Sequence, residues 1–303
     1  MLTLKIKNIV FKSPIMVASG TFGYGDEVKD LVDISKIGCI ITKSVTLNPR
    51  EGNPPPRIHE TSSGMLNSIG LANVGIDEFC NKKLPYLNKI KTHFIINIAG
   101  STIDEYIKVL DMLENSNGKH IGYEINISCP NVKEGGMEFG VDADMTYKLT
   151  SKLRNMTDKL LIMKLSPNVT SIEEIALASE KGGADAVSAV NTFVGMGIDY
   201  KTGKMLLSTK FGGLSGPAIK PLAVAKVNKI YKKVKIPIIG MGGICSFKDI
   251  IEFIRAGSSL IQIGTLNYKE PSISCRLYDE LKMFLKENNI DNINNLVGEY
   301  SEK

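Results

Sequence analysis

The 303-residue sequence has no CxxC pair, no long apolar run, no low-complexity break and no dinucleotide fingerprint, and each absence removes a class of protein. The five cysteines (39, 80, 129, 245 and 275) are odd in number and far apart. That spacing excludes a disulfide framework, a zinc site or an iron–sulfur cluster held by this chain alone, so no metal site is expected. No apolar stretch approaches the roughly 20 residues a spanning helix needs, so no membrane association is expected. The opening "MLTLKIKNIVFKSP" alternates like a short hairpin and lacks the apolar centre of a secretory leader. The expectation is a cytoplasmic protein with reduced thiols. Basic and acidic residues (37 and 32, net +5) are interspersed. The densest basic stretch, "KIYKKVK" (229–235), ends a predicted helix, where lysines suit the dipole, so nucleic acid is not an expected partner. No G-x-G-x-x-G follows a strand, which argues against a dinucleotide bound in the Rossmann manner.

What is present is a regular alternation. Apolar residues are 43% and charged residues 23%, ordinary for a soluble protein with a large core. Short β-rich runs occur at 14–19, 37–42, 93–100, 121–128, 160–166, 184–190, 236–241 and 259–264. Amphipathic helical patterns separate them, as at 104–116, 171–182 and 246–257, the last two opening on Ser and closing on Gly. Eight strands, each followed by a helix, predict a single (β/α)8 TIM barrel spanning 1–303 as one domain, with an N-terminal β-hairpin. A doubly wound sheet is the alternative. Two connections, 43–75 and 191–217, are too long to be turns, and they are expected as extended loops on the catalytic face.

In a barrel the C-terminal strand ends converge on one site. Here those ends carry Ser19, Lys43, Asn97, Asn126, Cys129, Lys164, Asn191 and Thr192. Buried amides and lysines are costly without partners, so their recurrence points to a site. The last two strands end in "GMGGI" (240–244) and "IGT" (263–265), where glycines let backbone N–H groups approach an anion. Such a set suits a flat polar cofactor such as FMN. It also suits a Schiff-base aldolase with Lys164 as nucleophile, and a barrel that only binds a partner remains open. A cysteine is commonly an inert core residue. A flavin dehydrogenase, unlike an aldolase, needs a base at Cys129.

The motifs "ASGTFGYG" (18–25), "TKSVTLNPREGNPPPR" (42–57), "LNSIGLANVG" (66–75), "EINISCPNVKEGG" (124–136), "KLSPN" (164–168), "NTF" (191–193), "GGLSGPAIKP" (212–221) and "GMGGI" (240–244) resemble the dihydroorotate dehydrogenases, flavoenzymes of pyrimidine (UMP) biosynthesis. The likeness runs over essentially the whole chain, in order. Cysteine as the base resembles the soluble class 1; "LNSIGL" and "CPNVKEGGMEFG" resemble the NAD-linked class 1B catalytic subunit rather than the fumarate-linked 1A form. The membrane-associated class would carry an N-terminal helical extension, whereas this sequence begins with its hairpin.

The resemblance implies residue roles. Ser19, Lys43, Ser44, Asn97, Asn126, Lys164 and Val190 would touch the isoalloxazine or ribityl part of FMN. Gly216, Gly242, Gly243, Gly264 and Thr265 would close around the ribityl chain and phosphate. Lys43, Asn67, Ser68, Ile69, Gly70, Leu71, Asn126, Asn131, Asn191 and Thr192 would hold dihydroorotate, with Gly70 letting backbone amides face its carboxylate. Cys129 would take the C5 proton while hydride passes from C6 to the flavin, and residues 128–140 would form a lid hinged at Gly135 and Gly136. The family pairs such a barrel with a subunit carrying FAD and a [2Fe–2S] cluster that relays electrons to NAD+. A homodimer of barrels within a heterotetramer is the implied assembly.

Overall fold

A computed structural model describes residues 1–128 and 139–302. The expected strands are all present: β1 (Ile15–Val17), β2 (Cys39–Ile41), β3 (His93–Ile98), β4 (Gly122–Asn126), β5 (Leu160–Lys164), β6 (Ala186–Ala189), β7 (Ile238–Met241) and β8 (Leu260–Ile263). They pair in parallel in chain order and close, β8 on β1, into an eight-stranded barrel. Strands covered on both faces read as continuous apolar runs rather than alternating ones, and β5 is buried at every position.

The outer layer contains α1 (Ile103–Glu114), α2 (Ala143–Arg154), α3 (Ile172–Lys181), α4 (Lys220–Tyr231), α5 (Phe247–Arg255) and α6 (Ile273–Glu287). Their starts are locally encoded. The Thr102 and Asp142 side chains accept from the backbone N–H groups of Glu105 and Met145, and Ser246 with Asp249 forms a reciprocal capping box. Ser171 precedes α3 without making a side-chain cap. α5 turns Ile250, Ile251, Phe253 and Ile254 onto the barrel, each burial stabilising by about 1.5–3 kcal/mol.

One unit departs from the expected strand–helix repeat. Between β1 and β2 there are only 3-10 turns, Asp26–Val28 and Ile34–Lys36, because Gly20, Gly23 and Gly25 all take positive φ there. The C-terminal helix α6 packs at that position, with Lys36 Nζ 2.7 Å from Asp279 and Cys275 Sγ 3.2 Å from the Asp33 carbonyl.

The hairpin, Leu4–Ile6 paired with Ile9–Phe11, plugs the opposite end. Lys7 Nζ reaches the Asp158 carbonyl ahead of β5, and His93 at the start of β3 bonds the Val10 carbonyl. The two long connections are not separate loops. Their segments Phe193–Gly195, Gly212–Ser215, Gly64–Asn67 and Ile58–Thr61 pair, in that order, into a four-stranded antiparallel sheet.

Candidate active site

The C-terminal strand ends open into a cleft of about 1970 Å³, and the four-stranded sheet lines one side of it. On the first half of the barrel Ser19, Lys43 and Ser44 line it, followed by Asn67, Ser68, Ile69, Gly70 and Leu71 from the sheet and its continuation. Asn126, Lys164, Val190, Asn191 and Thr192 come from β4, β5 and β6 or just beyond. Gly216, Gly242, Gly243, Gly264 and Thr265 line the far end. Cys129, Asn131 and most of the 128–140 segment lie outside the described residues.

Asn97 is placed differently. It is fully buried below the cleft, where Ser44 Oγ donates to its Oδ1 at 2.6 Å and its Nδ2 donates to Glu124 Oε1 at 2.7 Å. It therefore supports Ser44 and the floor from beneath.

The amides above are oriented by their neighbours. Asn126 Oδ1 accepts from Asn191 Nδ2 (3.2 Å) and from the Ser128 N–H (3.3 Å), while its backbone carbonyl accepts from the Tyr106 hydroxyl. Asn191 Oδ1 accepts from the Thr192 N–H at 2.8 Å, and Asn67 Nδ2 donates to the Gly213 carbonyl at 3.2 Å. The 67–71 loop is held by Asn53, whose Nδ2 and backbone N–H donate to the Ser68 and Ile69 carbonyls. Gly70 takes φ +73°, and a Cβ there would lie 2.6 Å from the Asn53 nitrogen, so packing against Asn53 also demands a glycine. Ser68 Oγ is buried with no partner among the described residues.

At the glycine-rich end, Gly242 and Gly243 take φ +129° and +77°. A Cβ on Gly243 would lie 2.7 Å from the Gly216 carbonyl oxygen and 2.9 Å from the Lys220 nitrogen. The β7 loop can approach the end of the connection after β6 and the start of α4 this closely only without a side chain, leaving backbone N–H groups to face a ligand. Thr265 Oγ1 donates to Ser215 Oγ at 2.8 Å, joining the β8 loop to the sheet.

Two lysines supply positive charge. Lys43 is half-buried, and burial pulls its ammonium below lysine's ordinary range, with Glu27 opposing and Arg57 assisting. Lys164 is buried, its Nζ 3.7 Å from Glu124 Oε1. Sequence reasoning passed over Glu124, together with Ser188 and Gln262, which donate to its Oε2 at 2.9 and 2.6 Å. The signal was there: each is a polar residue in the interior of a strand ("GYEIN", "AVSA", "LIQI") rather than at its end.

Convergent polar strand ends above a closed parallel barrel, with paired glycine loops after β7 and β8, define a (β/α)8-barrel enzyme. A family model described as dihydroorotate dehydrogenase matches residues 1–285. Over 297 residues the chain is 46% identical to the "Dihydroorotate dehydrogenase B (NAD(+)), catalytic subunit" of Geotalea uraniireducens, covering 98% of this chain and 97% of that protein. The protein of the same name from Bacteroides fragilis is also 46% identical over 98% of both chains, and that from Thermoanaerobacter pseudethanolicus is 45% identical. The crystal structure of DHODH in complex with ferulenol from Eimeria tenella matches with a TM-score of 0.81 at 23% identity, covering 98% of this chain and 88% of that one; this likeness bears on the fold alone. The chain belongs to the dihydroorotate dehydrogenase family.

Proposed function

We propose that this chain is the FMN-binding catalytic subunit of an NAD-linked dihydroorotate dehydrogenase, oxidising dihydroorotate to orotate in pyrimidine biosynthesis, with residues 1–303 acting as one barrel domain. The observation that carries the reading is the convergence in one cleft of Lys43, the 67–71 loop, Asn126, Lys164, Asn191 and Thr192 with the glycines after β7 and β8. The described residues fit FMN. Gly243 and Gly216 approach too closely for side chains, as a phosphate cradle requires, and the Ser68 hydroxyl, without a partner among the described residues, offers a bond to a substrate.

FMN, when bound, supplies the hydride acceptor. The protein's own part is to position, charge and deprotonate. Asn126, Asn191 and the 67–71 loop orient the substrate's planar ring through hydrogen bonds without adding net charge. Lys164 places positive charge at the floor, where negative charge gathers on reduction. Its pairing with Glu124 suits a fixed ammonium rather than the neutral amine an aldolase would need. Cys129, assigned on its sequence motif, takes the C5 proton as thiolate. A thiol with an ordinary value near 8.5 is only slightly ionised at neutral pH, so turnover should rise with pH until the thiol titrates.

Electrons then pass through a partner subunit carrying FAD and a [2Fe–2S] cluster to NAD+, and barrels pair as a homodimer within a heterotetramer. In support, Val194, Ile198, Tyr200 and Phe211 on the segment after β6 are each more than half exposed, apolar surface of the kind partners cover. Among the described residues no helix is long and apolar enough to cross a membrane; we assign the protein to the cytoplasm. The decisive experiment is purification followed by anaerobic addition of dihydroorotate. A yellow protein that bleaches is expected; a colourless protein that cannot be reconstituted with FMN overturns the reading. The lone chain should reduce dyes but not NAD+ until the partner is added. Rapid turnover with fumarate would assign it to class 1A instead.

A further inference from the structure

We propose that Glu124 is a positioning residue that sets the charge balance beneath the flavin site and, through Lys164, the electron affinity of the cofactor held above. The inference rests on the FMN reading of the cleft and deepens it.

Layers inside a (β/α)8 barrel are normally filled by bulky aliphatic side chains from alternate strands. The layer under this cleft is different. Glu124 of β4 is fully buried and faces Ser188 of β6 and Gln262 of β8, which are also buried. Cys39 of β2 completes the set of alternate strands: its thiol is pushed up by burial and by the charge of Glu124. From the odd strands, Asn97 of β3 and Lys164 of β5 reach the other carboxylate oxygen. A carboxylate in a barrel core is costly unless every lone pair is met, and a hydrophobic layer would serve stability at least as well. Here five polar or ionisable side chains, one from each of five other strands, are arranged around one carboxylate. Stability gives no reason for that arrangement.

Electrostatics gives one. The Lys164 ammonium is drawn from below by Glu124, so the cleft sees a cation partly cancelled rather than a bare one. The carboxylate also takes the Asn97 Nδ2, which leaves Asn97 Oδ1 to accept from Ser44 Oγ at the cleft wall. One buried charge thereby fixes two groups that face the ligand. Replacing it by a neutral amide of the same shape uncovers the Lys164 charge and favours the reduced, more negative flavin.

The test is the two-electron midpoint potential of bound FMN. Glu124→Gln should stay yellow and prefer reduced over oxidised FMN at least about tenfold more than the unmodified protein does, an upward shift of about 30 mV. Ser188→Ala and Gln262→Met keep the carboxylate but remove one donor each. Both should shift the midpoint the other way, by less. A purely structural role predicts no such opposition of sign. If the unmodified protein takes up no FMN, the functional reading fails, and this inference with it. If it binds FMN and Glu124→Gln leaves the midpoint unchanged or lowers it, this inference alone is overturned. Should Glu124→Gln not fold, unmoved midpoints in both donor variants overturn it.

Discussion

Neighbouring residues of β4 build two polar networks on opposite faces of the barrel wall. Glu124 points inward to Asn97, Lys164, Ser188 and Gln262. Tyr123 points outward: its hydroxyl donates to Glu114 Oε1 at 2.7 Å and lies 2.7 Å from His120 Nε2, and Thr157 and Lys159 hold the same carboxylate. The alternation of a strand puts the two on different faces. Their access to water separates them further. The Glu114 and Lys159 side chains are 25% and 30% exposed, whereas Glu124 and Lys164 are 0% and 8% exposed. The outer network can leave its charges in water while fixing a helix end to the wall. The inner one encloses its charge, and its cation lines the cleft. Four hydrogen bonds on the outer face thus serve stability, while three hydrogen bonds and one ion pair on the inner face serve the site.

The largest expected effect comes from a residue in neither network. Cys129→Ser should keep FMN and both networks yet lower turnover at neutral pH by about 10²–10⁴-fold, the usual worth of a general base. Near-normal turnover in this variant would remove Cys129 from the chemistry.

Glu124→Leu sharpens the contrast from the inside. It leaves the Lys164 ammonium buried without its carboxylate and strands the donors of Asn97, Ser188 and Gln262, so a loss of about 3–5 kcal/mol in urea unfolding is expected. A variant as stable as the parent would mean that the inner network is freely replaceable.

His120 tests the outer face by pH. Burial, with the nearby Lys159 charge assisting and Glu114 opposing, pulls its imidazole down to about 4. Unfolded, the ring takes a proton below about 6.5, while the folded protein refuses it down to about 4. Stability should therefore fall as pH drops through that window and level off below it, with a total near 3 kcal/mol from this group. His120→Gln should lose that part of the dependence, measured as urea midpoints from pH 7 to 4. Identical slopes in the two proteins would assign the pH sensitivity to other groups.

The smallest effect is expected from Tyr123→Phe. Removing the hydroxyl leaves Glu114 and His120 each one partner short, worth about 1–3 kcal/mol of stability, with turnover unchanged. A marked fall in turnover, or a shifted FMN midpoint, would erase the distinction between the faces.

Much of the fold was legible because it is written locally. The eight strand runs stand out as apolar segments, and α1, α2 and α5 begin at side chains that cap them. The site was legible where a polar residue ended a strand. It was not legible where a polar residue lay inside one: Asn97 reads as a strand end in "HFIINIAG", yet β3 continues past it and it turns into the core. The missing helix between β1 and β2 escaped a reading that counted units without weighing three closely spaced glycines.

The order of strands and helices, the polar strand ends and the glycines after β7 and β8 follow from the sequence alone, because periodicity, capping and φ preference act over a few residues. Tertiary structure alone decided that Gly64–Asn67 pairs with Gly212–Ser215, strands too short and glycine-rich to announce themselves and about 150 residues apart. It alone gathered Ser188 and Gln262, the lone polar residues of their strands, around the carboxylate of Glu124. Side chains from alternate strands meet only when the sheet closes, and nothing in the spacing along a chain encodes which of them will share a layer.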